Sequence, residues 1–246
     1  MSCCYIVHGA WRKLTTSLLS VFPTPAQRRR AERVVHTQLD FNRDVFIKFP
    51  NQRVVDNAPP SYSEMFSFNW SDKFNQWLML SGFMNTPQLA EPPYVIRPRN
   101  HHAGRGFRVV DTMPDLPHTH THYTRSLFKR RWEYRVIFVR GRKCVVMNKQ
   151  VPEDIAQDKP WNHDHGSTFV TVRDESNDRL RHTQFYQHAD RFLQVYPYHL
   201  IAFDVLLNKE QGQEWEYAVT EVNFSPGLEI PENLTTISNA LANSQH

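Results

Sequence analysis

Two runs toward the end of the sequence, HLIAFDVLL (199–207) and EYAVTEVNF (216–224), constrain the fold more than any other feature. Both are apolar over the length of a buried strand and are joined by a short charged connection, so they read as an antiparallel hairpin. Each carries one carboxylate among its apolar residues, Asp204 and Glu221. The two positions are equidistant from the point between Gly212 and Gln213, inside the connection. In an unbulged hairpin they therefore stand directly opposite each other, with Cβ atoms about 5 Å apart. Alternation puts Asn223 on the same face as Glu221. Two carboxylates held together inside apolar strands repel, and the arrangement is costly unless a proton or a cation sits between them. Carboxylates with an amide oxygen are hard donors that favour Mg2+ or Mn2+ over zinc. The alternative is an amphipathic sheet that turns both carboxylates to solvent.

The 246 residues suffice for one large domain or two small ones with a proper core. Hydrophobic residues make up 40% and charged residues 22%, which excludes a disordered polyelectrolyte. No apolar run reaches the roughly 18 residues of a membrane span. Arg12 and Lys13 precede LTTSLLSVF, but no small-residue cleavage site follows, so a signal peptide is not expected. Cys3, Cys4 and Cys144 cannot build a disulfide framework and lack zinc-finger spacing, which predicts a reducing, cytoplasmic setting. The net charge of +4 suits an anionic partner without choosing one.

Along the chain, residues 1–70 read as irregular, with scattered prolines, one strand in DVFIKF (44–49) and a short basic helix in RRRAERVVHTQL. Residues 71–130 form a second unit. SDKFNQWLMLSGF predicts a helix capped by Ser71, apolar at 74, 77, 78 and 80, and stopped by Gly82. The linker TPQLAEPP leads to strands YVIRP (94–98) and FRVV (107–110) and a His/Thr-rich loop. Residues 131–246 form the third unit. EYRVIFVRGRKCVVM (133–147) is a hairpin turned at Gly141, and 148–168 is polar loop. A helix over 180–195 puts Phe185, Ala189, Phe192 and Leu193 on one face, and the closing hairpin and a last helix follow. Antiparallel strands with separate helices argue for an α+β fold without internal repeats.

Glycine is scarce, with eight residues against a usual share of about 7%, so each is expected where the backbone needs it. Gly104 and Gly106 lie in IRPRNHHAGRGF (96–107) between two strands, with Arg97, Arg99 and Arg105 around them. Small residues let backbone N–H groups face an anion and arginine forks hold phosphate oxygens, so this loop favours phosphate over a plain turn. Glu133 and Arg135 share a strand face, with Lys149 just beyond the hairpin partner; a structural Glu–Arg pair is the ordinary reading. The histidines of HTHTHY and WNHDHG lack cysteine partners or an HExxH helix and read as solvated rather than zinc-binding. No GxSxG elbow or Cys/His pair supports a covalent nucleophile.

Taken in order, from about residue 69 to 236, these pieces resemble an ATP-grasp carboxylate–amine ligase. SDKFNQWLMLSGFMNTP is similar to the family's helix and turn into the nucleotide lobe, and YVIRPRNHHAGRGF to its strand and glycine-rich phosphate loop. SLFKRRWEYRVIFVRGRKCVVMNKQ resembles the hinge and the strand pair carrying E-x-R, and WNHDHGSTF the N-x-x-x-G loop. FDVLL…YAVTEVNFSPGL, with its E-x-N-x-x-P-G ending, is the most specific piece. The resemblance implies a two-lobed α+β fold clasping ATP. It implies Mg2+ (or Mn2+) held by Asp204, Glu221 and Asn223. Phosphates would be held by Arg97, Arg99, Arg105 and the Gly104–Gly106 loop. Ser126, Leu127 and Phe128 would back the adenine, Lys73 and Glu133 would also bind the nucleotide, and Arg135, Lys149 and Asn162 would lie near the reacting groups. It further implies small-molecule or peptide carboxylate and amine substrates. The sequence departs from the family's pattern at Arg97, where lysine is common, at Pro160–Trp161, and in an N-terminal region reduced as in small phage ATP-grasp proteins. A nucleotide-binding or structural protein that keeps the fold without turnover is the second reading. A nucleic-acid-binding protein, resting on Arg28–Arg30 and Lys129–Arg131, is the third and is not favoured.

Overall fold

The computed structural model describes residues 4–7, 32–34, 45–48, 54–55, 72–100, 105–152, 166–196, 200–223 and 230–242. Among the described residues, four short strands precede residue 72: β1 (Cys4–Val7), β2 (Glu32–Val34), β3 (Val45–Lys48) and β4 (Val54–Val55). They pair in the order β2-β3-β1-β4, where the sequence led us to expect one strand and a helix. The helix expected in RRRAERVVHTQL is corrected to a strand over Glu32–Val34, paired antiparallel to β3. Its valine-rich end suits an extended backbone better than a helix.

The first described helix, α1 (Lys73–Ser81), starts one residue later than expected. Its cap is Asp72, whose Oδ1 accepts from the N–H groups of Phe74 and Asn75 at 2.9 and 3.2 Å. Gly82 ends it. A three-stranded sheet follows, with β5 (Tyr94–Pro98) between β6 (Arg108–Val110) and β7 (His122–Ser126). β7 occupies the tail of the stretch expected to be loop. Its polar residues and threonines hid a strand that is nonetheless buried at Tyr123, Thr124 and Arg125.

The larger sheet has five antiparallel strands in the order β10-β9-β8-β11-β12. β8 (Trp132–Val139) and β9 (Arg142–Gln150) form the hairpin turned at Arg140 and Gly141, both with positive φ. β10 (Thr168–Thr171) lies at one edge and was not anticipated. β11 (Leu200–Asn208) and β12 (Glu216–Asn223) are the closing hairpin. One face packs on α2 (Phe185–Val195), which buries the four residues its periodicity predicted, Phe185, Ala189, Phe192 and Leu193. The helical turn before it, Arg179–His182, is 3-10, so the expected helix is shortened at its start. A last helix, α3 (Pro231–Ala242), crosses near β9 and β8.

The core lies between α2 and residues of one parity on the sheet: Tyr134, Val136 and Phe138 on β8, and Ile201, Phe203, Val205 and Leu207 on β11. Phe203 is at its centre, edge-on to Phe138, Phe185 and Phe192 with ring centroids 5.5–6.0 Å apart. The opposite parity of the same strands is the charged face described below.

Helix α1 touches both sheets, which explains its ragged apolar pattern. Leu80 joins the large-sheet core, whereas Phe74 and Trp77 pack on Tyr123 of β7. Leu78, counted in the expected apolar stripe, is half exposed. β12 is the other edge strand, and α1 with its following turn covers it. The N–H of Val222 donates to Gln76 Oε1 and the N–H of Val219 to the Asn85 carbonyl, at 3.3 and 2.8 Å. None of the described helices is long and apolar enough to cross a membrane. Phe203→Ala should cost about 3–5 kcal/mol in denaturant unfolding, against at most about 0.5 kcal/mol for Leu78→Ala.

Candidate functional site

The charged face of the large sheet is built from a row of residues aligned across three strands. Arg135 on β8 is directly opposite Asp204 on β11, and Asp204 is directly opposite Glu221 on β12. The last pairing depends on a bulge. From Asn208↔Glu216 to Val205↔Val219 the hairpin ladder centres on Gly212, and continued unbroken it would set Thr220 against Asp204. Glu221 would then oppose Phe203 on the core face. The ladder shifts by one residue between Asp204 and Val205, so Thr220 becomes the extra residue and Glu221 and Asn223 turn to the face of Asp204. Thr220 Oγ1 donates to the Asp204 carbonyl at 3.1 Å within this bulge. The expected pairing is present, but through a bulge rather than an unbulged hairpin.

Asp204 is buried, and its carboxylate is gripped by a guanidinium fork. Arg135 Nε donates to Oδ1 at 2.7 Å and Nη2 to Oδ2 at 2.9 Å. Asn223 Nδ2 donates to Asp204 Oδ2 at 3.0 Å and to Glu221 Oε1 at 3.1 Å. One nitrogen therefore touches both carboxylates, which rules out the separation beyond about 8 Å at which a shared cation with Mg–O bonds near 2.1 Å would be excluded. Burial pushes the Asp204 carboxyl above its ordinary range, with Glu221 adding to the push and Arg135 and Lys149 opposing it. Burial alone would lower the Arg135 guanidinium, but Asp204, with Glu221 and Glu133 behind it, holds it more firmly protonated than usual. Ionising Asp204 here carries a cost that further positive charge nearby would relieve.

Glu133 and Arg135 do not pair with each other as the sequence suggested. Glu133 takes Lys149 instead, leaving Arg135 to Asp204. Phe169 of β10 lies beneath both cations, its ring centroid 4.6 Å from the Arg135 guanidinium and 4.8 Å from Lys149 Nζ. Lys73, at the start of α1, brings its Nζ to 3.6 Å from Glu221 Oε2.

Several arginines lie on the small sheet and its connections. Arg97 on β5 is half-buried, and Arg130, in the crossing between the sheets, is buried beside Glu133. Arg99 is tied into the start of α1. Its Nε lies 2.8 Å from Asp72 Oδ2, its Nη2 donates to Asn75 Oδ1 at 3.2 Å, and its carbonyl accepts from Lys73 N–H at 2.7 Å. Arg105 and Gly106 are exposed on the β5–β6 connection. Gly106 has φ +72°, and a Cβ there would sit 2.5 Å from Pro98 Cγ, so only glycine fits the turn.

In the crossing, Ser126 Oγ accepts from the N–H groups of Ala90 and Glu91, both at 2.9 Å. Leu127 N–H donates to the Pro93 carbonyl at 2.8 Å, and Phe128 is half-buried beside them. Of the run Lys129–Arg131, Arg130 points inward and Lys129 pairs with Glu210, leaving no continuous basic strip there. Gly104, Asn162 and the run Arg28–Arg30 lie outside the described residues. Among the described residues no three His, Cys, Asp or Glu side chains come together as a metal site, and His118 packs on Phe74 and Trp77. Arg125, which sequence reasoning missed, is buried on β7 on the same face as Tyr123. Its signal was a charge in the middle of a strand that itself went unnoticed.

The donors fit a hard divalent cation. Asp204 and Glu221 supply carboxylate oxygens, and the nitrogen of Asn223 already stands between them as a positive dipole. Turned over, the same amide offers its oxygen.

No protein-family model matches the sequence, and no curated protein matches it. Solved structures do. A RiPP-associated ATP-grasp ligase from Chryseobacterium gregarium, in complex with ADP and a leader and core peptide, superposes with a TM-score of 0.50 at 12% identity, over 78% of this chain and 64% of its own. D-alanine–D-alanine ligase from Bacillus anthracis matches at 0.47 and 13% identity over 70% and 66%. The macrocyclase MdnC from Microcystis aeruginosa, bound with precursor peptide MdnA, matches at 0.46 and 10% over 79% and 67%. The chain thus spans about two thirds of the length of these proteins, and the first likeness establishes its architecture as the ATP-grasp fold.

The bulge gives a direct test of how the face is set. Deleting Thr220 removes the extra residue yet leaves Glu221 opposite Asp204, so the protein should fold at a cost of about 1 kcal/mol, that of one hydrogen bond. A loss of several kcal/mol in denaturant unfolding would mean that the bulge does not set the face.

Proposed function

We propose that this ATP-grasp fold serves an ATP- and Mg2+-dependent ligase that joins a carboxylate to an amine through an acyl phosphate. The observation that carries the reading is the row Arg135–Asp204–Glu221, with Asn223 bridging the two carboxylates and Lys73 and Lys149 beside them. The protein of the same fold from Chryseobacterium gregarium holds ADP, which supports a nucleotide here.

In the reaction we propose, a substrate carboxylate oxygen attacks the γ-phosphorus of ATP and ADP leaves. An amine then attacks the acyl carbon and phosphate leaves, with the amine proton passing to solvent or base. Neither step needs a protein nucleophile, in keeping with the lack of a Ser or Cys arrangement. Asp204, Glu221 and Asn223 would hold Mg2+, which when bound would neutralise phosphate charge. Arg135 holds Asp204 in place through its fork, so the carboxylate does not have to be ordered on binding. Lys149, pinned between Glu133 and Phe169, would place positive charge beside the reacting groups, with Asn162 near it. Lys73 and Arg97 would contact phosphates, as would Arg105 with Gly104 and Gly106. Arg99 would act indirectly, holding the loop to the α1 cap. Ser126, Leu127, Phe128 and Glu133 would line the nucleoside. The acid and amine would be small molecules or peptides.

ADP release with pooled amino acids and peptides as acids and amines tests the reading. Wild type should turn over with at least one pair, and Glu221→Ala should lose about a hundredfold or more. Nucleotide binding without turnover for any pair would instead assign the chain to nucleotide binding alone.

A further inference from the structure

Arg125 is a buried charge without an ion-pair partner among the described residues. It is 4% exposed, its Nη1 has no hydrogen-bond partner, and no described carboxylate lies within ion-pair distance of it. Its neighbours make this worse. Arg97 pairs with Tyr123 and Val95 with Arg125 across β5 and β7, so the two arginines are diagonal neighbours on one sheet face, about 7–8 Å apart at the backbone. Arg130 adds a third positive charge, and Glu221 is the carboxylate whose field reaches the group from the large sheet. Burial and these like charges push the Arg125 guanidinium down to about 10, with Tyr123 and Glu221 opposing the shift.

A fold gains nothing from a buried, unpaired guanidinium between two others, since an apolar side chain of the same size would pack there without the desolvation cost. The arrangement becomes favourable when an anion enters. Phosphate oxygens match arginine forks, and Arg125 is one residue before Ser126, where the chain crosses between the sheets.

We propose that Arg125 is a ligand-binding residue, forming with the half-buried Arg97 an arginine pair that takes a phosphate group of the nucleotide. The identity of the ligand rests on the function proposed above; the anion site itself does not. Its signature is a pair of opposite effects. Arg125→Met removes a costly buried charge and should leave the melting temperature of the ligand-free protein unchanged or raised, while weakening ATP and ADP binding about ten- to a hundredfold. Adenosine, lacking phosphates, should bind both proteins alike. Arg125→Lys keeps the charge but not the fork and should fall between them.

Thermal shift and calorimetric titration of the full chain with ATP, ADP, adenosine, pyrophosphate and inorganic phosphate read all of this. A lowered melting temperature for Arg125→Met with unchanged ATP and ADP affinity would overturn the proposal in favour of a purely structural arginine. If wild type binds no nucleotide but is stabilised by pyrophosphate or phosphate, and Arg125→Met is not, the anion site stands and the nucleotide reading falls. If no phosphate-bearing probe stabilises wild type, the anion site falls with it.

Discussion

Two carboxylates face each other across the closing hairpin, and the rest of the site is organised around the cost of keeping them there. Asp204 is buried deeply enough to favour its neutral form, and Glu221 opposite makes its ionisation harder still. Against this the fold sets Arg135 in the same row, with a two-point fork, and the Asn223 amide between the two acids. The neighbouring Glu133–Lys149 pair keeps Glu133 from competing for Arg135. Buried ion pairs of this kind add little net stability, because desolvation offsets the attraction. Their presence in the middle of an otherwise apolar sheet is therefore better explained by what the face binds than by what it stabilises.

One residue decides which face the second acid occupies. Tyr217 and Val219 lie in the core, as does Val222, and the change of parity between them occurs at Thr220. A bulge next to a functional side chain re-aims it without disturbing the packing on either side. Helix α1 depends on the same strand. It covers the outer edge of β12 through Gln76, sends Lys73 to Glu221, and through its Asp72 cap and Arg99 holds the loop that leaves β5. A single nine-residue helix thus ties the strand carrying Glu221 to the sheet carrying Arg97 and Arg125.

Much of this was legible in the sequence where the signal was a long, regular pattern. The two closing strands, the β8–β9 hairpin and the buried face of α2 follow from alternation and helical periodicity. The pairing of Asp204 with Glu221 was also legible, though the count that gave it assumed an unbroken ladder and the true ladder reaches it through a bulge. What was not legible has local causes. β7 is too polar to read as a strand, and with it went Arg125. β10 is four residues long and pairs only through its contact with β9. The partner of Arg135 could not be chosen from spacing, because Glu133 two residues away is the nearer candidate in the chain and Asp204 is 69 residues distant. The glycines performed as their scarcity suggested at Gly106, where the backbone turns against Pro98 with no room for a side chain.

The central claim is that the Asp204–Glu221 face receives a divalent cation together with a nucleotide between the two sheets. Anomalous diffraction from crystals grown with Mn2+ and ADP tests it most directly. A manganese peak in contact with Asp204 and Glu221, with ADP phosphates on its other side toward Arg97, is the expected result. Nucleotide bound away from this face, or Mn2+ bound elsewhere while Asn223 and Arg135 keep their present hold on the two carboxylates, would contradict it.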